Sequence, residues 1–247
     1  MLRRLILLTT AVAAIVAARG ETPTFEQLSV KADRFIQYKE WASAQAMLQL
    51  MVTERPDDAA LTGKAIAVAG VRTDSTEQLR LFRNAVSNRQ PFEKVFMSVE
   101  DESFALARGD VYEDFLLMIA RREAWVRRSI DSYLLRYYTY RCDGPGMVAY
   151  ADKMLAGLPD NVTFLHDKAR GSMLTGDFSA AMDVYRRITE VAPDNVDALL
   201  ALGFYAESQG DKSDALDYFK KAYAIMPTPY LKSKIENIEY NSYAKNS

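Results

Sequence analysis

The sequence predicts an all-α protein built as a solenoid of antiparallel helix pairs, and it does so through punctuation that recurs on a fixed spacing. Pro159, Pro193 and Pro227 lie 34 residues apart, and the first two are followed by Asp160-Asn161 and Asp194-Asn195. Midway between them fall Gly176-Asp177 and Gly210-Asp211, again 34 apart. A glycine ends a helix in the left-handed conformation, an aspartate caps the helix that follows, and a proline beyond a helix forbids its continuation. Each 34-residue unit therefore reads as helix, tight turn, helix, tight turn, and self-similarity on this scale marks a stacked repeat.

Residues 1–20 stand apart from that pattern. Arg3 and Arg4 precede an apolar run from Leu5 to Ala18, which ends in Val16, Ala17 and Ala18 before Arg19, Gly20 and Glu21. This is the layout of a secretory signal peptide. The mature chain is expected to begin near Arg19 to Thr22 and to be exported, periplasmic or extracellular. A run of 14 residues falls short of the ~20 that a spanning helix needs. The alternative is a chain tethered to the membrane by the same segment left uncleaved, which would then be its one membrane contact. No cysteine directly follows the run for lipid attachment, and removing the segment moves the net charge from −2 to about −5 through loss of three arginines.

The mature chain divides into N-terminal helix pairs at 25–92, divergent helix pairs at 93–161, two well-matched repeats at 162–229 and a capping helix at 230–243. In Val196 to Pro229 the patterned positions are Leu199, Leu202, Gly203, Ala206, Gly210, Ala215, Phe219, Ala222 and Pro227. In Val162 to Asn195 they are Leu165, Ala169, Gly176, Ala181, Tyr185, Ile188 and Pro193. Small residues at Ala169, Ala181, Gly203 and Ala215 let helix backbones approach, and Tyr185 or Phe219 fills the space beside them. Phe25 to Asp58 follows through Leu28, Ala32, Phe35, Trp41, Ala44, Leu48, Met51 and Pro56, with Lys39-Glu40 where Gly-Asp is expected. Ala59 to Phe92 follows through Ala65, Ile66, Ala69, Phe82 and Ala85. Glu93 to Arg127 offers Gly109-Asp110 as its turn, and in Arg128 to Asn161 the run Cys142-Asp143-Gly144-Pro145-Gly146 replaces the usual turn. From Pro229 onward Leu231, Ile235 and Ile238 fall on one helical face, which suits the polar-backed cap a solenoid requires.

On these residues the chain resembles the tetratricopeptide repeat family. The resemblance implies a right-handed superhelix whose first helices line a concave groove for an extended peptide. Matching position by position, the groove candidates are Arg136, Tyr140, His166, Arg170, Met173, Phe204 and Glu207. Arg136 and Arg170 would meet an anionic group, and Tyr140, Met173 and Phe204 would hold apolar side chains. The lysines and asparagines with which chaperone-binding members of the family grip a C-terminal carboxylate are replaced here by Ser29, Asp33, Ser132 and Asp167, which argues against a chaperone adaptor.

Composition removes other classes. With 31 basic against 33 acidic residues the chain lacks the positive excess that coats a phosphate backbone, so a nucleic-acid partner is not expected. One Cys and one His exclude an internal disulfide and a multi-histidine metal site, and no catalytic, cofactor or metal residues are assigned. Cys142 and His166 have no supporting motif. Asp57-Asp58 and Glu113-Asp114 read as helix-start carboxylates, and Asn161 reads as a helix cap within its Asn-Val-Thr sequon.

Arg121, Arg122, Arg127, Arg128, Arg136 and Arg141 interleave with Trp125, Tyr133, Tyr137, Tyr138 and Tyr140 and give the segment a net +4, beside a stretch 93–120 of net −5. Helical spacing assigns several of these aromatics to the core, and cross-helix ion pairing accounts for much of the charge. The expected function is therefore a non-enzymatic scaffold that binds a protein or peptide segment in the groove. The alternatives are an envelope module that takes an anionic glycan or polymer on the Arg121–Arg141 face, or an enzyme subunit using Cys142 or His166.

Overall fold

The computed structural model describes residues 23–243. The expected signal peptide, residues 1–20, lies outside them. Among the described residues thirteen α-helices follow one another in pairs, with no strand. They are α1 (Phe25–Gln37) and α2 (Trp41–Glu54), α3 (Ala59–Val71) and α4 (Ser75–Ser87), and α5 (Phe92–Ala105) and α6 (Gly109–Arg122). After a short 3-10 turn (Ala124–Val126) come α7 (Arg127–Tyr140) and α8 (Gly144–Leu155), α9 (Val162–Leu174) and α10 (Phe178–Val191), α11 (Val196–Ser208) and α12 (Lys212–Ile225), and the unpaired α13 (Pro229–Tyr243). The chain falls into two compact units that meet between Val126 and Arg127.

The helices begin where short polar side chains can accept from the first unbonded amides. Asp58, Asp74, Asp143, Asn161, Asp177, Asn195 and Asp211 each accept from the amide three residues on, at 2.9–3.1 Å. Thr24 and Gln27 close a reciprocal capping box on α1. Asn161 thus serves as a cap within its sequon.

The turn inside each pair contains one residue in the left-handed region: Lys39, Thr73, Ala107, Cys142, Gly176 and Gly210. Their spacing is 34 residues throughout, except for 35 between Ala107 and Cys142. Two expectations about the middle of the chain are corrected. In the third pair the left-handed residue is Ala107, while Gly109 already begins α6, so Glu113 and Asp114 lie beyond the first turn of that helix and do not cap it. In the fourth pair Cys142 makes the turn, Asp143 caps, and Gly144-Pro145-Gly146 is the first turn of α8, where a proline sacrifices no helical hydrogen bond.

In the first unit α3 is the centre. Its sequence is apolar nearly all round, and Leu61, Ala65, Ile66, Ala67, Val68 and Ala69 are all buried, as a helix enclosed on every side requires. Gly63 lets α5 come close enough for Ser98 Oγ to donate to the Ala60 carbonyl at 2.8 Å. Phe82, Phe96 and Phe115 fill the space between the second and third pairs, with ring centroids 5.8–6.2 Å apart. Among the polar groups buried in this unit, Gln90 donates to the Pro56 carbonyl and to Thr62 Oγ1 while its Oε1 has no partner among the described residues, and Gln49 donates to Glu77.

In the second unit each helix packs on the next. Leu165, Ala169, Val184, Ile188 and Ala198 join α9, α10 and α11, and Ala181, Met182 and Leu202 form a second contact between α10 and α11. Leu199, Ala215, Phe219 and Ala222 form the last interface, which Leu231 and Ile238 of α13 close. Covering those side chains stabilises by ~1.5–3 kcal/mol for each large apolar one.

Candidate functional site

The groove candidates lie on the first helices of the three pairs in the second unit. Arg136 and Tyr140 are on α7, His166, Arg170 and Met173 on α9, and Phe204 and Glu207 on α11. Within each helix they are three or four residues apart and so share a face. Arg136, Tyr140, Arg170, Met173 and Phe204 are exposed, while His166 and Glu207 are half-buried.

The centre of this face is where α9, α10 and α11 meet. The His166 ring stands edge-on to Tyr185 of α10, with centroids 6.0 Å apart. Burial raises the Tyr185 hydroxyl above the usual phenol range, Asp197 at the start of α11 raises it further, and Arg170 opposes both. The hydroxyl thus senses a cation from α9 and an anion from α11. Asp167 is also raised, because burial of its carboxyl outweighs the pull of Arg170 and His166. Arg170 makes no ion pair among the described residues.

The α11 end is closed. Phe204 packs edge-on against the buried Phe219, with centroids 5.1 Å apart, and Lys234 of α13 bonds Glu207 at 2.7 Å while lying 5.5 Å above the Phe204 ring. A Cβ on Gly203 would come within 2.7 Å of Phe219, so the glycine is what admits that ring. Phe204 thus touches Phe219 of its own pair through one ring edge while the rest of its ring stays exposed. Helix pairs of this length, left-handed turns 34 residues apart and a small-residue seam filled by an aromatic define the repeat. It is tetratricopeptide-like.

No family model matches the sequence, and no curated protein matches it. Solved structures do. The chain is similar to YrrB, described as a TPR protein with an unusual peptide-binding site, at 13% identity over 77% of this chain and 97% of that one, with a TM-score of 0.48. It is similar to PilW, a type IV pilus biogenesis factor, at 16% identity over 84% and 98%, with a TM-score of 0.48. It is similar to PilF of Pseudomonas aeruginosa at 14% identity over 86% and 96%, with a TM-score of 0.43.

The arginine-rich segment does not form one surface within either unit. Arg121 and Arg122 end α6 in the first unit, and Arg127, Arg128, Arg136 and Arg141 lie on or just after α7 in the second. Tyr137 and Tyr138 are buried, and the guanidinium groups of Arg136 and Arg141 lie over the rings of Tyr133 and Tyr137. Trp125 stacks on Phe82, lies tilted against Phe92 and donates to Glu123. Tyr137 and Tyr138 thus serve packing, while Trp125 and Tyr140 remain exposed. Cys142 is exposed in the α7–α8 turn and His166 packs on Tyr185, so the two are not brought together as a thiol-imidazole pair.

A feature the sequence reading missed lies in the first unit. A cleft of about 550 Å³ opens between α4 and α6, lined by Ser75, Arg108, Asp114, Arg121 and Arg122 among others. Its lining residues run from Gly70 to Arg122 in sequence, and no local pattern joins them. Among the described residues no helix is long and apolar enough to cross a membrane.

Proposed function

We propose that the protein is a non-enzymatic scaffold that holds an extended segment of a partner protein along the α7, α9 and α11 face of its second unit. Arg170 carries the reading. It is exposed, makes no ion pair among the described residues, and lies one helical turn from the half-buried Asp167 on α9. A guanidinium so placed accepts a carboxylate from the partner through two parallel N–H···O bonds. Tyr140, Met173 and Leu174 expose apolar surface on the same helices and supply contacts for neighbouring side chains. On α11 the exposed edge of Phe204 continues the apolar surface, and Glu207, held by Lys234, bounds the face. Export follows from the N-terminal segment, so the partner would be an envelope or extracellular protein.

Cross-linked capture from the envelope, read by mass spectrometry, tests this with the wild type, Arg170→Glu and Arg186→Glu. Arg186 lies on α10 in an exposed pair with Asp183 and serves as the control. A protein enriched by the wild type and by Arg186→Glu, and reduced about tenfold with Arg170→Glu at unchanged melting temperature, is the expected result. Equal capture by all three would refute the assignment. Intact-mass measurement on the fractionated protein checks the export reading, and a cytoplasmic chain retaining Met1 would refute that part.

A further inference from the structure

We propose that the first unit binds a small neutral polyol, a monosaccharide or a sugar alcohol, in a second cleft that lies between α2 and α4. The proposal is independent of the groove. The cleft has about 210 Å³ of space, enough for one small organic molecule or several waters. Gln49, Val52 and Thr53 of α2 line one side, and Arg80, Asn84 and Ala85 of α4 line the other. Thr62 of α3 and Gln90, just beyond α4, complete the lining that the argument uses.

Gln90 is what points to a ligand. It is only 5% exposed, yet its Oε1 has no hydrogen-bond partner among the described residues. The other end of the carboxamide is held firmly. Its Nε2 donates to the Pro56 carbonyl at 2.8 Å and to Thr62 Oγ1 at 2.9 Å, and both partners line the same cleft. Those bonds fix the orientation, because a flipped carboxamide would set Oε1 against the Pro56 carbonyl oxygen. A buried acceptor left without a donor destabilises the fold, and a ligand hydroxyl that reaches it recovers that loss. The last torsion of a glutamine is soft, so a small turn of the carboxamide presents Oε1 to the cleft while Nε2 keeps its acceptors.

The groups around Gln90 select a neutral ligand with several hydroxyls. Gln49 spends Nε2 on Glu77, and Asn88 spends Nδ2 on the Asn84 carbonyl, which leaves Gln49 Oε1 and Asn88 Oδ1 as further acceptors. Arg80, the charged side chain of the lining, is neutralised by Glu77, to which it donates from Nε and Nη2 at 2.6–2.7 Å. Its Nη1 remains as a donor. Carbonyl acceptors beside one donor, with no net charge, match hydroxyls, which both donate and accept. An anion would meet a guanidinium already paired, and an ammonium group would meet its positive charge. Val52 and Ala85 supply short apolar contacts for the C–H face of a polyol. Asn84 and Asn88 are exposed, so the site is open on their side and its affinity is modest.

Titration of the full chain with D-glucose, and separately with xylitol, provides the test when the side-chain amide signals are followed by nitrogen-15 nuclear magnetic resonance. The expected result is a saturable shift of the Gln90 carboxamide signals with at least one of the two, at a Kd of about 1–20 mM. Gln90→Met keeps the length of the side chain and removes the acceptor, and should weaken binding at least about fivefold as read from the Asn88 signals. That variant also gives up the bonds to Pro56 and Thr62. Asn84→Trp, at an exposed position of α4, leaves them intact, obstructs the mouth and should weaken binding by a similar factor at a melting temperature near that of the wild type. Binding of glucose alone assigns a cyclic sugar, and binding of xylitol alone assigns an open-chain polyol. Absence of a saturable shift with both would mean that the cleft holds water only and would overturn the proposal. Undiminished binding by both variants, or tighter binding of methylammonium chloride than of either polyol, would overturn it as well.

Discussion

Replacing Gly63 by alanine should loosen the first unit, and the geometry sets the size of the effect. A Cβ at this position would overlap the Cβ of Ser98, lie 2.5 Å from its Oγ and sit 2.9 Å from the backbone nitrogen of Val99. Rotation of Ser98 relieves the Oγ contact only. The other two atoms are fixed to α5, so α3 and α5 must separate by roughly 1 Å to restore ordinary carbon contacts of about 3.5–4 Å. Overpacking of this kind costs ~1–3 kcal/mol. Alanine recovers ~1 kcal/mol of helix propensity relative to glycine, which leaves a net loss of up to ~2 kcal/mol. A fall in melting temperature of up to about 8 °C follows for a chain of this size. The assay is thermal unfolding by far-ultraviolet circular dichroism for Gly63→Ala, Ser98→Gly and the double variant. Ser98→Gly removes two of the three obstructions, so the cost of Gly63→Ala should fall by about half in that background, a coupling that a double-mutant cycle reads directly. A rise in melting temperature with Gly63→Ala, and no coupling to Ser98→Gly, would refute the close approach of α3 and α5.

The other predictions concern a turn, a carboxyl and the cap. Thr73 holds a φ of 56°, where an L residue costs ~1–2 kcal/mol, so Thr73→Gly should raise the melting temperature even after the ~0.5–1 kcal/mol entropic cost of glycine; a fall would contradict the turn geometry. Asp167 has a folded pKa above its ordinary 3.8, so the folded state holds the proton more tightly and stability declines as pH rises from below 3.8 through the folded value. Asp167→Asn should be more stable than the wild type at neutral pH and should lack that contribution to the decline, as urea titrations across pH 3–7 would show; a variant less stable at pH 7 would mean that Arg170 outweighs burial. Deleting Leu231 to Ser247 uncovers Phe219 and Ala222 and should produce concentration-dependent self-association in sedimentation experiments. A truncated chain that stays monomeric with an unchanged melting temperature would show that α13 does not act as a cap.

The strengths and gaps of the sequence reading have a common origin in the turns. Gly176 and Gly210 announce the left-handed position because glycine is the residue that occupies it without strain. Lys39, Thr73, Ala107 and Cys142 occupy the equivalent position and carry no such mark, since the packing of each pair enforces a backbone that the side chain disfavours. The repeat was therefore plain after residue 162 and blurred before it, and Gly109 drew attention two residues past the true turn. Individual groove residues could be placed on helix faces from their spacing. The contact of Lys234 with Glu207 and Phe204 could not, because it joins α13 to α11 across 27 and 30 residues. The α4–α6 cleft was hidden for the same reason, since its lining comes from helices far apart in sequence.

Cys142 combines three properties: it is the chain's one cysteine, it is exposed, and it holds a fixed left-handed backbone at the end of α7. A maleimide dye or nitroxide would therefore attach at a single defined point without removal of competing thiols. That point lies two residues beyond Tyr140, at the edge of the α7 and α9 face. A reporter there would register occupancy through quenching or altered probe mobility, and would give a partner screen its readout before the partner is known.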